Sequence, residues 1–490
     1  MEDCNNGIKY AVKWENTVGK KYVFKAIKDI EELAIKEGLD FFPTIFEIVD
    51  RAIMLEGCSY GLPVRSRHWS YGKSYQHQKL YGEMGLSKVY EIVFNNNPSY
   101  AFLLDTNSDI INIMVGAHVF GHCHFFKHNV AFEGSDRKMI YRAAERATRV
   151  DEYIEQYGLD RVEHLMDIAF ALDNHVDWHK GLFRKKYPKK CIIERVSKKG
   201  EFDDLLDIGN NKKRSVKKVT VGDKFPPHPE KDLLWFLSNY APLEDWEKDI
   251  LTIAREESYY FYPIVMTKIM NEGFASFWHA ELMYKYDKLS EQEYMDFAKT
   301  HSGVINPGHP FNINPYYLGF KIFTDIRERW DKKYKNGESN INGIQKVLEV
   351  AEEEDDASFL RNYLTKDMAV KLGLFNYGYR YKRKPNMDKK DLTERHGLIE
   401  LKDRDLDKII ENIIRPTINY GAPLITINEA DSDVLVLQHR DSFGPLDEKY
   451  AEKTMEYIYE LWGGPIELQT YSYDNEKVTY IFDEGGFDYA

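Results

Sequence analysis

The sequence AHVFGHCHFFKHN, residues 117–129, contains four of the fifteen histidines of the chain. His118 and His122 are four residues apart, which places both imidazoles on one face of a helix, one turn from each other. That spacing allows two histidines to bind one metal ion. His124 and His128 have the same spacing and lie about 120° further around the helix. We call these the first and the second His pair.

The helix that carries both pairs is expected to be buried. An apolar run, Ile110–Val115, precedes them, and Asn107 or Ser108 is a suitable N-cap. A third pair at the same spacing, His175 and His179, ends another predicted helix. One such pair is more often a polar helix edge than a metal site. Three in one chain favour at least one set of metal ligands.

A third metal ligand is expected from a later helix, predicted over Ile264–Tyr284. Glu272 and His279 fall on one face of this helix, among bulky aromatic residues. A buried carboxylate without a partner is unfavourable, so Glu272 must pair with another group. A metal ion shared with the first His pair would satisfy it. The simpler alternative is an ion pair with Lys268, one turn earlier.

Length and composition exclude several classes of protein. The 490 residues suffice for two or three domains, and the net charge of −13 makes the chain a poor non-specific binder of nucleic acid. No signal peptide is expected, and no apolar run approaches the roughly 18 residues of a membrane span. Four cysteines without paired spacing favour a reducing, cytoplasmic compartment. They are Cys4, Cys58, Cys123 and Cys191.

A basic segment, Tyr60–Tyr75, is punctuated by Gly and Pro and is predicted to be a loop. Arg65, Arg67, His68 and Lys73 lie close together in it. One interpretation is a substrate-binding loop, because cationic side chains on irregular backbone can face a carboxylate or phosphate. The other is a surface loop held by aromatic packing. The sequence leaves both open.

The helical patterns predict a mainly α fold. Residues 1–372 are expected to form a large helical domain, for which a zincin-like arrangement is one hypothesis. Its predicted helices include Thr17–Gly38 and Asp40–Met54. A Lys-rich, basic insertion near 183–220 is expected to be solvated, although it would also suit an acidic partner.

Residues 373–490 are expected to form a small α+β domain. The predicted strands are Leu398–Lys402, Pro423–Asn428, Asp433–His439, Ile466–Ser472 and Val478–Asp483, and the predicted helices are Leu406–Ile414 and Leu446–Trp462. This domain holds no His/Glu cluster of a catalytic kind. We therefore expect it to have a docking or regulatory role.

Long stretches of the chain resemble the SpoVR-like family, the stage V sporulation protein R family. They are GLDFFPTIFEIV at 38–49, RHWSYGKSY at 67–75, YEIVFNNNPSYAFLLDTN at 90–107, AHVFGHCHFFKHN at 117–129, WEKDILTIAREESYYFYPIVMTKIMNEGFASFWH at 246–279, NPYYLGFKIFTDI at 314–326 and FLRNYLT at 359–365. His124 and His128 stand where the family usually has Asp and Asn, so the second His pair is not expected to be essential. Phe274 stands where Trp is usual, which is a mild change.

The resemblance implies a role but no reaction. Such proteins are linked to spore cortex formation, and they also occur widely in bacteria that do not sporulate. They tend to be encoded near a serine protein kinase and a von Willebrand-A-like protein, which implies a stress-linked partnership with both. The chemistry has to be inferred from the residues.

One functional hypothesis is a metal-dependent hydrolase of the zincin type that acts on peptide or amide bonds, with peptides of the spore cortex peptidoglycan as the substrate class implied by the family. His118, His122 and Glu272 would bind a divalent metal, expected to be zinc, and leave one position for water. In the HExxH motif the residue after the first His is the glutamate base, whereas this chain has Val119. A different base is therefore required. The candidates are Glu256, Glu257 and His279.

Two other hypotheses stay open. The chain is alternatively a non-enzymatic regulator or scaffold, working with the kinase and the von Willebrand-A-like partner, in which the His/Glu cluster is structural. A di-iron helical protein is the third hypothesis. It would need two Glu-x-x-His units, which the sequence lacks. The glutamates considered for it are Glu152, Glu163, Glu256 and Glu272.

Overall fold

The computed structural model describes residues 20–83, 90–187, 194–196, 215–217, 225–381, 397–431, 434–440 and 444–489. The first nineteen residues, Cys4, Cys191 and most of the predicted basic insertion lie outside these ranges. Within them the fold is mainly α, as predicted.

Helices account for most of the described chain. They are α1 (Lys21–Lys36), α2 (Arg51–Tyr60), α3 (Trp69–Glu83), α4 (Asp109–His128), α5 (Met139–Tyr157), α6 (Leu159–Ala171), α7 (Leu233–Tyr240), α8 (Asp245–Met266), α9 (Lys268–Lys285), α10 (Glu291–Val304), α11 (Pro315–Lys335), α12 (Gly343–Glu353), α13 (Asp356–Tyr363), α14 (Lys366–Leu372), α15 (Leu406–Ile414) and α16 (Glu448–Trp462). The first helix shows why they form. Its apolar residues recur at three- and four-residue steps, and these are the residues that it buries.

The strands form small sheets. They are β1 (Thr44–Val49), β2 (Glu91–Phe94), β3 (Ser99–Leu104), β4 (Glu194–Val196), β5 (Ser215–Lys217), β6 (Gly308–His309), β7 (Asn312–Ile313), β8 (Asn376–Tyr381), β9 (Gly397–Asp403), β10 (Leu424–Ala430), β11 (Leu435–Arg440), β12 (Ile466–Tyr471), β13 (Lys477–Asp483) and β14 (Gly486–Tyr489). One sheet has the order β1-β3-β2, with β1 parallel and β2 antiparallel to β3. The largest has the order β10-β11-β12-β13-β14, in which only β11 and β12 are parallel.

The chain divides into two compact units, and each is assembled from separate stretches of sequence. The first comprises Met1–Arg65, Trp69–Ala143 and Pro263–Thr417; the second comprises Ser66–His68, Ala144–Tyr262 and Ile418–Ala490. This division differs from the sequential one expected at residue 372, because contacts between distant stretches define each unit. Whether residues 1–372 and 373–490 fold independently stays a prediction.

Three helices form the centre of the first unit. Nearly all of α4 is buried, and it packs on α9, which packs in turn on α11. Glycines allow the close contact between α4 and α9 and that between α9 and α11. A Cβ on Gly121 would lie 2.7 Å from the Cα of Ala275, and a Cβ on Gly273 would lie 2.3 Å from the Cα of Gly319. At these points the helix backbones therefore lie closer together than any residue larger than glycine would allow.

The predicted helix over Asp40–Met54 is wrong. Thr44–Val49 forms β1, which pairs along its length with β3, and α2 begins only at Arg51. The strand sequence TIFEIV is rich in β-branched and aromatic residues, which fit a pleated sheet well. Pairing with a strand about fifty residues later decided its conformation, and the local pattern could not indicate that partner.

Two other local predictions differ from the structure. The loop predicted over Tyr60–Tyr75 becomes helical at Trp69, where α3 begins. The helix α6 ends at Ala171, so His175 and His179 do not share a helix face. The Asp-Asn dipeptide before His175 favours a turn over a continued helix.

The predictions for the carboxyl-terminal region are confirmed at the level of its elements. The helix α15 has the predicted bounds, and α16 begins at Glu448, two residues later than predicted. The five predicted strands are present as β9 to β13. The strands β8 and β14 were not predicted.

Replacing Asp356 with alanine is expected to destabilise the first unit by about 2 kcal/mol or more. Its two carboxylate oxygens accept hydrogen bonds from the backbone N–H groups of Ile269 and Met270 at the start of α9, each 2.9 Å long. Asp356 is fully buried, so water cannot replace these bonds. Thermal unfolding measures the effect, with exposed Asp367→Ala as the control. An equal midpoint for the two variants would contradict this capping role.

Candidate metal centre

The buried helix α4 presents the first His pair to the interior of the first unit. Ser108 is the N-cap, and its hydroxyl accepts the N–H of Ile111 at 3.4 Å. The ring centroids of His118 and His122 lie 4.5 Å apart, and their side chains are 5% and 8% exposed. Two imidazoles buried one turn apart need polar partners supplied by the protein or by a ligand.

A carboxylate on α9 lies directly opposite the pair. Glu272 Oε2 is 3.5 Å from Nε2 of both His118 and His122. These distances exceed the roughly 2.7–3.2 Å of a good N–H···O hydrogen bond. They match the separation of about 3.4 Å between two ligand atoms of a tetrahedral ion with bonds of about 2.1 Å. Among the described residues, His118 Nε2 and Glu272 Oε2 have no hydrogen-bond partner.

A second carboxylate, Glu91, approaches from strand β2. Its Oε1 lies 3.9 Å from His118 Nε2, and its side chain is 15% exposed. One ligand atom from each of Glu91, His118 and His122 can be chosen so that all three lie within 4.8 Å of one another. Glu91 is not among the ligands predicted from the sequence. The available signal was a single charged residue in the apolar strand EIVF, immediately before the Asn-rich turn.

The two carboxylates have opposite electrostatic environments. Burial raises the pKa of Glu91 to about 7, and the negative charge of Glu272 adds to the effect. Burial also opposes ionisation of Glu272, but the two adjacent imidazoles outweigh it and hold its pKa well below the usual range. Glu272 is thus ionised at neutral pH, whereas Glu91 can gain or lose a proton near pH 7.

The Nδ1 atom of each imidazole of the first pair also has a hydrogen-bonding partner. His122 Nδ1 lies 2.8 Å from Asn271 Oδ1, which only accepts hydrogen bonds, so the proton is on Nδ1. When the ring is neutral, as a metal ligand must be, this leaves the lone pair on Nε2, the atom that faces Glu272. His118 Nδ1 lies 3.0 Å from His279 Nδ1. Both Nε2 atoms therefore face the same carboxylate oxygen, with the Nδ1 atoms held by other groups.

A tyrosine completes the surroundings of the centre. The ring of Tyr316, at the start of α11, stacks on His118 with centroids 6.0 Å apart. Burial raises the pKa of its phenol well above the usual value, and the charge of Glu272 adds to this. The hydroxyl is therefore protonated and able to donate a hydrogen bond next to Glu272.

The second His pair serves a different purpose. His124 Nδ1 accepts the backbone N–H of Asp40 at 2.9 Å, and His128 Nε2 lies 2.9 Å from the carboxylate of Asp40. Burial and the neighbouring His128 lower the pKa of His124 to about 3, so it is neutral. These histidines hold the segment before β1 on α4, on a different face from the first pair.

The three predicted bases belong to different units. Glu256 and Glu257 lie in the second unit, where Glu256 forms an ion pair with Arg146 and Glu257 is buried. His279 lies in the first unit, on the Nδ1 side of His118, away from Glu272. The assignment of these three residues as bases stays a prediction.

Two of the predicted substrate-binding residues, Arg65 and Lys73, have partners nearby in the first unit. Arg65 donates to the carbonyl of Tyr60 at 3.0 Å, and its guanidinium lies 5.0 Å from the ring centroid of Tyr71. The ammonium of Lys73 lies 5.8 Å from the centroid of Trp69. These contacts favour the packed-loop interpretation for both residues.

The other two, Arg67 and His68, belong to the second unit. Arg67 lies 3.2 Å from Asp151 and is largely exposed. His68 is buried, and its Nε2 lies 3.2 Å from Asp167. The four residues thus have separate surroundings, and their role in substrate binding stays a prediction.

The fold and the site define a mainly helical protein with a cluster of two buried histidines and two partly exposed glutamates, a kind of group that could hold a metal ion. Residues 19–404 match the family described as SpoVR like protein, and the chain belongs to this family. This membership confirms the resemblance seen in the sequence and supports a sporulation-associated protein.

The chain is also similar to an uncharacterized protein of Escherichia coli (strain K12), YcgB, with 35% identity over 326 residues. The match covers 61% of this chain and 62% of YcgB, which is less than two thirds of that relative. No solved structure matches significantly. No helix of the described residues combines the length and the apolar character needed to cross a membrane.

Proposed function

We propose that this protein is a metal-dependent hydrolase whose ion is bound by His118, His122 and Glu272. The observation that carries the proposal is the pair of 3.5 Å distances from Glu272 Oε2 to the two Nε2 atoms. They are too long for good hydrogen bonds and right for ligands of one tetrahedral ion. A purely structural polar cluster would close these distances to hydrogen bonds, because buried polar groups without partners are unfavourable.

The donor set supports zinc. Two imidazoles and one carboxylate are a common catalytic zinc set, which keeps one position for water. The bound ion would lower the pKa of that water to about 7 and polarise a substrate carbonyl. Asn271 accepts a hydrogen bond from His122 Nδ1, as the outer partners of metal-binding histidines do.

Glu91 is the best placed group to act as the base that the missing HExxH glutamate would supply. It comes from a different element from the three ligands and lies on their Nε2 side, 3.9 Å from His118. From there its carboxylate would take a proton from the attacking water and pass it to the leaving amine. His279, by contrast, contacts the Nδ1 atom of His118.

Tyr316 would stabilise the charge that develops on the substrate. Its protonated hydroxyl lies beside Glu272, where it can donate a hydrogen bond to a carbonyl oxygen that becomes negative. A carboxylate base and a hydroxyl donor beside the metal ligands would suit attack on an amide carbonyl. The substrate class is therefore a peptide or amide.

The wider setting follows the family resemblance. A cortex-related peptide is the natural substrate class, and a serine protein kinase and a von Willebrand-A-like protein are the partners, with the carboxyl-terminal region as the docking part. A cytoplasmic location is supported by two free thiols, Cys58 and Cys123. The alternative, a scaffold with a structural metal, makes a different prediction for the experiment that follows.

Glu91→Gln is expected to keep the metal and to lower turnover by about 10²–10⁴-fold, since glutamine cannot accept the proton. The measurements are bound metal by elemental analysis of untagged protein, and amine release from a panel of muropeptides and short peptides. One equivalent of metal is expected in the wild type and the variant. A wild type without metal would overturn the proposal. Metal without hydrolysis of any panel member would favour the scaffold. Loss of metal from Glu91→Gln would make Glu91 a ligand and not the base.

A further inference from the structure

Three imidazoles from three helices form a continuous row behind the candidate centre. His118 Nδ1 on α4 lies 3.0 Å from His279 Nδ1 on α9. His279 Nε2 lies 2.6 Å from His301 Nδ1 on α10. Both nitrogens of His279 are thus occupied by other imidazoles, and its side chain is buried. The metal centre proposed above uses only the first of the three rings.

We propose that His279 and His301 are positioning residues that fix the tautomer and orientation of His118, an inference that rests on the proposed metal site. A metal on His118 Nε2 requires the proton on Nδ1, which then donates to His279 Nδ1. His279 therefore carries its proton on Nε2 and donates to His301 Nδ1. His301 in turn carries its proton on Nε2. One metal bond thus sets the direction of every hydrogen bond in the row.

The packing around His301 keeps the row in place. Its ring stacks on Phe297, with centroids 5.8 Å apart, and meets Phe320 edge-on at 5.3 Å. His301 is 6% exposed, so these rings exclude most water from its bond with His279. A hydrogen bond in such an apolar setting is stronger than one in water and is unfavourable to break. His301 is therefore placed to act on the metal site through His279 and His118.

A pair of substitutions at His301 tests the inference. Asparagine can place its Oδ1 near the position of Nδ1 and accept from His279, whereas leucine has a similar size and no acceptor. His301→Leu is expected to weaken zinc binding by about 10–100-fold. His301→Asn should stay within about threefold of the wild type, as is expected when the key hydrogen bond is kept. Zinc affinity is measured by competition with a chromophoric chelator, and thermal unfolding is followed in parallel to check the fold.

The outcomes separate this inference from the proposed function. If the wild type binds no zinc, both are wrong. If the wild type binds zinc and His301→Leu binds it equally well, only the positioning role is wrong. Equal weakening in both variants would also overturn it, because packing of the ring would then matter more than its acceptor.

A measurement on the wild type covers the case in which His301→Leu does not fold. Long-range ¹⁵N–¹H NMR of histidine-labelled, zinc-loaded protein reports which ring nitrogen carries the proton. His279 and His301 are expected as Nε2–H tautomers and His118 as the Nδ1–H tautomer. A proton on Nδ1 of His279 or of His301 would overturn the inference.

Discussion

Glu272→Ala is expected to reduce bound metal from one equivalent to a trace. The substitution removes the one oxygen that lies 3.5 Å from both imidazoles of the first His pair. Loss of an outer partner typically lowers metal affinity about 10–100-fold, and loss of a ligand should exceed that range. Elemental analysis of untagged protein gives the metal content, and chelator competition with zinc gives the affinity.

The control for this experiment is a carboxylate that cannot reach the site. Glu47 lies on β1 and is exposed, so Glu47→Ala should keep the full equivalent of metal. His118→Ala and His122→Ala should lose it as Glu272→Ala does. If Glu272→Ala alone kept its metal, the two histidines would bind the ion with another group, and Glu91 is the nearest.

Gly273→Ala is expected to destabilise the first unit by about 3 kcal/mol or more, at the upper end of overpacking effects. The added Cβ would lie 2.3 Å from the Cα of Gly319 and 2.8 Å from the backbone nitrogen of Phe320. Backbone atoms cannot rotate away as a flexible side chain can, so α9 and α11 must separate. Since Glu272 is the preceding residue on α9, the substitution should also weaken zinc binding.

Gly72→Ala is a matched control for this substitution. Gly72 is also helical, in α3 of the first unit, but outside its own helical turn no heavy atom of the described residues lies within 4 Å of the position that its Cβ would take. Alanine is a better helix former than glycine, so a small gain of up to about 1 kcal/mol is expected. Thermal unfolding compares the two variants. Similar midpoints for both would mean that the helices adjust easily, which would contradict the close-packing argument.

Much of the local structure could be predicted because it depends on neighbouring residues. The buried helix α4, a cap at Asn107 or Ser108 and the elements of the carboxyl-terminal region follow from periodicity and capping, and the structure has the cap at Ser108. The convergence of the first His pair with Glu272 was predicted from one further requirement, that a carboxylate among aromatic rings must have a partner.

Local sequence patterns did not predict the structure where contacts with distant segments determine it. The strand β1 was predicted as a helix because its partner, β3, is about fifty residues away. The second His pair has the same spacing as the first, yet it binds Asp40 through hydrogen bonds. Spacing alone cannot separate the two pairs, since both satisfy the same helical geometry.

By itself, the sequence determined that two imidazoles lie one turn apart on a buried helix, because that relation depends only on the helical repeat. Only the tertiary structure decided which groups join them besides Glu272. Glu91 arrives from a strand and His301 from a third helix, and their positions depend on how helices and sheet pack over more than two hundred residues of chain. Such long-range packing depends on many weak contacts between distant residues, so it cannot be inferred from any short stretch of sequence.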